Sequence, residues 1–150
     1  MSILPQSDWS ALIPHAGAMC LLDEVLAWNA ESIHARTASH AREDNPLRSD
    51  GRLRALHLAE YGAQAMAVHG GLLARAQGAV AAPGYLVSLR DVALAVERID
   101  DLAGALDVHA QRLLGGDGHW QYAFRVEHAG RVIAQGRVAV IAGRGAAPAA

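Results

Sequence analysis

Apolar and polar residues alternate along the last third of the chain. Tyr122, Phe124 and Val126 fall two positions apart, as do Val132, Ala134, Gly136, Val138 and Val140. A period of two marks a half-buried strand. Strand character extends over four stretches, Tyr85–Glu97, Ala105–Leu114, Trp120–His128 and Arg131–Ala142. The breaks at Gly115-Gly116-Asp117-Gly118 and Ala129-Gly130 have hairpin-turn chemistry. Two earlier strands are predicted over Cys20–Trp28 and Ser32–Ser39, joined by Asn29-Ala30-Glu31. In the second, Ile33, Ala35, Thr37 and Ser39 alternate with His34, Arg36, Ala38 and His40. Ser7 or Asp8 can cap a short helix that Pro14 stops, and the polar stretch Ala41–Gly51 reads as a loop.

The stretch Arg52–Arg75 is the clearest helix, with Asp50 as a plausible N-cap. It is apolar nearly all round, which predicts a buried helix and not a surface one. Its apolar residues are mostly small: Ala55, Ala59, Gly62, Ala63, Ala65, Ala67, Gly70 and Gly71. Such residues suit neighbouring backbone that comes very close. Two strands, one long helix and four more strands predict an α+β fold, an antiparallel β-sheet wrapped around one long central helix. The reading is a single domain over residues 1–142, followed by a flexible tail, 143–150, that has little to bury.

Composition narrows the function. The chain has 150 residues, 52% hydrophobic and 5% aromatic, with a formal charge of -2. All its basic residues are Arg, and Lys is absent. Near-neutral charge argues against nucleic acid or an anionic membrane as the main partner. No apolar run is long enough to predict a membrane span. The opening MSILPQSDWS lacks a basic n-region, which reads against a secretory signal. One cysteine, Cys20, excludes an internal disulfide and suits a reducing cytoplasm.

Glu60 is the most informative polar residue. It sits mid-helix among Leu58, Ala59, Tyr61, Gly62 and Ala63. A carboxyl in an apolar setting has a raised pKa and suits general acid work. The alternative is a paired or edge-exposed Glu. Helical spacing puts His57, Glu60, Tyr61 and Gln64 on one face, so His57 could orient the carboxyl. His15, in LIPHAGAMCLLDEV, lies just ahead of the first strand and reads as either a surface or a functional imidazole. Metal spacing is absent: His57-x-x-Glu60 lacks a second His, and His109, His119 and His128 fall on separate strands. Cys20 beside Leu21 and Leu22 reads as a buried small hydrophobe. Neither a phosphate-binding glycine loop nor a GxSxG elbow occurs.

Two segments carry a resemblance. LIPHAGAMCLLDEVLAW resembles the opening signature of the hot-dog-fold β-hydroxyacyl-acyl-carrier-protein dehydratases, matching at Leu12, Ile13, Pro14, His15, Met19, Leu21, Leu22, Asp23 and Val25. Glu60-Tyr61-Gly62-Ala63-Gln64 resembles the E-A-x-A-Q of that family's central helix, whose Glu is catalytic. The run Asp50-Gly51-Arg52-Leu53-Arg54-Ala55-Leu56, with Glu60 to Ala67, is similar to the divergent branch associated with aryl-polyene pigment synthesis. One departure matters. The family's catalytic His lies in a G-H-F-P-G stretch before the Glu, and here Arg52 falls where that His would be.

The resemblance implies dehydration of β-hydroxyacyl thioesters on acyl carrier protein, in fatty-acid or polyene-type biosynthesis. Glu60 would be the acid/base with His15, and His57 and Gln64 would bind substrate or hold the site. It implies a hot-dog homodimer or a heterodimer with another hot-dog subunit, with the acyl tunnel between subunits and no metal or organic cofactor. Two other readings remain open. A non-catalytic subunit partnering a catalytic dehydratase is favoured by the missing His. An acyl thioesterase would also use a carboxylate on the central helix.

Overall fold

In the computed structural model, residues 2–81, 84–116 and 118–142 are described. The stretch 143–150, expected as a tail, lies outside them, as does Asp117 of the expected 115–118 turn. Seven strands form one antiparallel sheet: β1 (Leu4–Pro5), β2 (Glu24–Trp28), β3 (Ser32–Thr37), β4 (Gly84–Leu94), β5 (Leu106–Gly116), β6 (His119–His128) and β7 (Arg131–Ala142). Their spatial order is β1-β2-β3-β5-β6-β7-β4. A short helix α1 (Gln6–Trp9) precedes β2, and the 19-residue helix α2 (Leu58–Ala76) fills the concave face. The small strand β1, paired at Leu4↔Val25, lies beyond what alternation predicts, because two residues cannot show a period.

Alternation sorts the strands as expected. Ile33, Ala35 and Thr37 of β3 face the helix, as do Leu106, Val108 and Ala110 of β5 and Tyr122, Phe124 and Val126 of β6. From α2, Leu58, Tyr61, Ala65, Val68 and Leu72 are buried against them. Ala129 and Gly130 both take positive φ, 51° and 79°, as a tight hairpin between β6 and β7 requires.

The glycines of α2 explain how a chain with one Phe builds this core. A Cβ on Gly62 would lie 2.6 Å from Cγ of Phe124, and one on Gly136 would lie 2.8 Å from Cε1 of the same ring. The ring is wedged between a helix glycine and a β7 glycine. Gly71 meets Leu12 in the same way, with 2.8 Å to its Cβ.

Several element boundaries differ from expectation. The helix starts at Leu58 after a 3₁₀ turn (Ala55–His57), and Asp50 is not its cap. Asp50 and Gly51 have φ of 54° and 71°, and Ser49 and Arg52 pair across them. The Asp-Gly dipeptide has made a tight turn, the competing use of the same chemistry. Leu53 and Ala55 then pair with residues 97–99 through Ile99 N to Leu53 O (2.9 Å) and Ala55 N to Glu97 O (2.9 Å). Strand β2 begins at Glu24, not Cys20, and β3 ends at Thr37, not Ser39; His119 and His128, expected on separate strands, are the two ends of β6.

Strand β4 is one edge of the sheet, paired only to β7. It exposes Tyr85, Leu86, Val87, Leu89 and Leu94. An apolar free edge is a pairing surface that folded proteins ordinarily cover. Among the described residues, no helix is long and apolar enough to cross a membrane.

Gly62→Ala should destabilise the protein by about 1–3 kcal/mol through overpacking, despite the better helix propensity of Ala. Gly70→Ala, where a Cβ meets nothing within 4 Å, should stabilise it by up to ~1 kcal/mol. Urea unfolding of the two variants checks both signs. Equal shifts in the same direction would contradict this packing.

Candidate functional site

The N-terminal half of α2 carries the residues singled out from sequence, and the helix divides them between two environments. Glu60 is at its exposed edge, with 48% of its side chain accessible, and His57 beside it is 34% accessible. His57 Nδ1 is 3.3 Å from Glu60 Oε1, so the imidazole is within reach of the carboxylate, three residues on. The expectation that Glu60 lies in an apolar setting is therefore corrected for this single chain. The four-residue face is also split: a step of four residues advances about 40° around the helix, enough to cross from rim to interior.

Tyr61 and Gln64 are on the interior side. The Tyr61 hydroxyl is 2.9 Å from Ser39 Oγ and accepts a hydrogen bond from Asn45 Nδ2 at 3.0 Å. Asn45 Nδ2 also donates to the Ser39 carbonyl at 2.9 Å. Burial pushes the phenol above its ordinary pKa, so it stays protonated at neutral pH. This buried cluster ties the loop after β3 to the helix, one residue from Glu60.

Gln64, only 2% exposed, directs its carboxamide hydrogen bonds away from Glu60. Its Oε1 accepts from Leu21 N at 2.7 Å and Leu22 N at 3.1 Å, and its Nε2 donates to the Met19 carbonyl at 2.8 Å. The carboxamide is thus committed to the segment that follows His15, not to Glu60. His15 is partly buried, and its Nδ1 is buried and unpartnered among the described residues. The structure brings His57 to Glu60, and Gln64 to the His15 segment. It does not bring His15 within hydrogen-bond distance of Glu60 in one chain. Arg52 is exposed on the approach to the helix, and Leu56 is an exposed apolar residue of the turn that leads into it. Cys20 is buried, and burial raises its thiol pKa, as suits an inert thiol.

Sequence reasoning missed Ser39, Asn45 and Thr37 as partners: alternation puts Thr37 and Ser39 on the inward face with Ile33 and Ala35, but no pattern names the polar groups they meet. It also missed His69. This buried histidine donates from Nε2 to the Asn29 carbonyl at 2.8 Å, so Nδ1 accepts from the Tyr122 hydroxyl at 2.7 Å. Tyr122 in turn accepts from Arg112 Nε at 3.1 Å. Burial lowers the His69 pKa, consistent with a neutral pin between helix and sheet.

The strongest electrostatic perturbation of a histidine lies elsewhere, on the outer face of the sheet. His34 and His109 face each other across β3 and β5, with ring centroids 4.1 Å apart. His34 Nε2 is 2.8 Å from Asp107, while Glu127 lies 3.9 Å from His109 Nε2 and 2.7 Å from Arg125 Nε. Burial, then the neighbouring His34 and Arg125, lowers the His109 pKa to about 4. The cleft here, about 610 Å³, is lined by Trp28, Gln111 and Gln135 among others, and Glu60 is not part of it.

A seven-stranded antiparallel sheet curled around one long helix is the hot-dog fold. The structure is similar to the dehydratase heterocomplex ApeI:P from Xenorhabdus doucetiae, with a TM-score of 0.81, 23% identity and coverage of 93% of this chain and 91% of that one. It is similar also to thioesterase superfamily member 2 from zebra fish, with a TM-score of 0.60, 18% identity and coverage of 92% and 95%. A mutant form of a thioesterase from Staphylococcus aureus gives a TM-score of 0.56 at 11% identity, covering 78% and 89%. At these identities the likeness is one of fold. No curated protein matches the sequence significantly. The model of the ApeP-like family, described as ApeP dehydratase, matches residues 7–148. The chain belongs to this dehydratase family.

His109 on the outer face sets a pH dependence. Between pH 6.5 and about 4 the unfolded chain binds a proton at His109 that the folded chain refuses, so stability falls as pH falls through that window. His40 and His69, lowered mainly by burial, act in the same sense. Urea unfolding at pH 7 and pH 5 should show the loss, and His109→Gln should narrow the difference. An unchanged difference in that variant would contradict the assignment.

Proposed function

We propose that this chain dehydrates β-hydroxyacyl thioesters carried on acyl carrier protein, in fatty-acid or polyene-type biosynthesis, as one subunit of a hot-dog dimer. The observation that carries the reading is the Glu60 carboxylate, held by His57 at the start of the buried helix of a dehydratase-family chain. Dehydration breaks the Cα–H and Cβ–O bonds, forms the Cα=Cβ bond and releases water. One group takes the α-proton and another protonates the departing hydroxyl. Glu60 suits the proton exchange with the hydroxyl. His15, with its buried and unpartnered Nδ1, is the imidazole proposed to act with it, meeting Glu60 across a subunit interface. His57 holds the carboxylate at the rim, where substrate would approach. The net change is redox-neutral and needs no metal or organic cofactor.

The exposed apolar edge β4 supports assembly with a second hot-dog subunit, identical or not. A solved relative is a dehydratase heterocomplex, and the exposed Arg52 stands where the family's loop His would be. Both favour a second reading, in which this chain is a weakly active or non-catalytic partner of a catalytic dehydratase. The thioesterases share the fold alone. The buried free thiol of Cys20 fits a cytoplasmic location.

Purified protein, alone and with a second hot-dog subunit, is incubated with a β-hydroxyacyl carrier thioester and followed by mass. Loss of water is expected, and Glu60→Gln should lower kcat by about 10²–10⁴-fold. Release of free thiol without dehydration would assign a thioesterase. Full activity in Glu60→Gln, within an active pair, would leave this chain as the non-catalytic partner.

A further inference from the structure

The segment Cys20–Asp23 lies between a 3₁₀ turn (Gly17–Met19) and β2, outside regular secondary structure, yet Cys20, Leu21 and Leu22 are buried. Buried backbone without a ladder must find other partners. Side chains and a strand neighbour supply them here. Gln64 takes the amides of Leu21 and Leu22 and the carbonyl of Met19. Thr37 Oγ1 donates to the Leu21 carbonyl at 2.5 Å, and Gln6 Nε2 donates to the Leu22 carbonyl at 2.7 Å. Asp23 N donates to the Arg36 carbonyl at 3.0 Å. Of these anchors only Gln64 makes three bonds, and it alone joins the segment to α2.

We infer that Gln64 is the positioning residue of the site: its carboxamide fixes the chain that carries His15 to the helix that carries Glu60. The inference rests on the reading that His15 and Glu60 act together. Glu60 is one turn before Gln64 on the same rigid element, so each subunit holds its own His15 segment and its own Glu60 in fixed relation, and Gln64 thereby sets where His15 meets the other subunit's helix. A neutral amide suits this place. It presents an acceptor to two N–H groups and a donor to one carbonyl, in a pocket closed to water. Methionine, of similar length, supplies neither. Glutamate keeps the acceptor but, when ionised, loses the donor toward Met19. The sequence resemblance suggested a substrate contact or a hold on Glu60; all three bonds observed run instead to the His15 segment.

The test compares wild type with Gln64→Met and Gln64→Glu, reading the His15 imidazole resonances by NMR and dehydration kinetics in the active assembly. In Gln64→Met the His15 resonances should shift, and kcat should fall about 10- to 100-fold with KM changed less than about 3-fold, as expected for misplaced groups. Gln64→Glu should lose less, because it keeps two of the three contacts. Should Gln64→Met fail to fold, the same readings on Gln64→Glu decide. Unmoved His15 resonances, or moved resonances with kcat unchanged, would overturn the inference. If wild type dehydrates no thioester, the functional reading fails by itself, and the His15 resonances alone then decide whether Gln64 sets the position of that histidine.

Discussion

One buried carboxamide on the central helix governs the arrangement of this molecule. Gln64 closes hydrogen bonds to three backbone groups of a segment that no strand ladder includes. Leaving a buried amide or carbonyl without a partner costs about 1–3 kcal/mol each. The segment therefore has one favourable place, against the helix, with Cys20, Leu21 and Leu22 turned inward. That placement brings the chain to β2 in register and ties the stretch that follows His15 to α2. In a chain of marginal stability, such a constraint outweighs most single contacts.

The constraint works only because the helix is thin. Gly62 and Gly71 allow Phe124 and Leu12 to approach to distances that a Cβ would forbid. Glycine in a helix costs about 1 kcal/mol of propensity, and close packing offsets it. The small residues of α2 are thus architectural. They let the sheet wrap closely while Tyr61, Gln64 and His69 each reach one polar partner set on the surrounding strands and loops. Glu60 escapes this enclosure because it falls on the rim, where a single chain leaves it beside His57 and solvent. The edge strand β4 pairs only with β7 and leaves Tyr85, Leu86 and Val87 exposed in the single chain.

The broad fold was legible from period two in the strands and from the small apolar helix between them. Both signals reflect burial on one face, which sequence encodes directly. The failures came where one residue type has two uses. Asp50 before Gly51 caps a helix or makes a tight turn, and pairing of Leu53 and Ala55 with residues 97–99 selected the turn. Cys20–Leu22 reads as strand because it is apolar, yet the backbone of Leu21 and Leu22 pairs with the side chains of Gln64, Thr37 and Gln6, which no periodicity reveals. Glu60 and Gln64 were identifiable as residues, but not the direction each faces. A helix that is apolar nearly all round has no pattern to mark its exposed edge.

Amide hydrogen exchange of the wild-type protein tests the central constraint most directly. If Gln64 holds the segment, the amides of Leu21 and Leu22 exchange as slowly as that of Val25 in the adjoining strand, although they belong to no ladder. If they exchange as fast as the exposed turn residue Ala30, the carboxamide does not fix the segment, and the account of the site built on it fails.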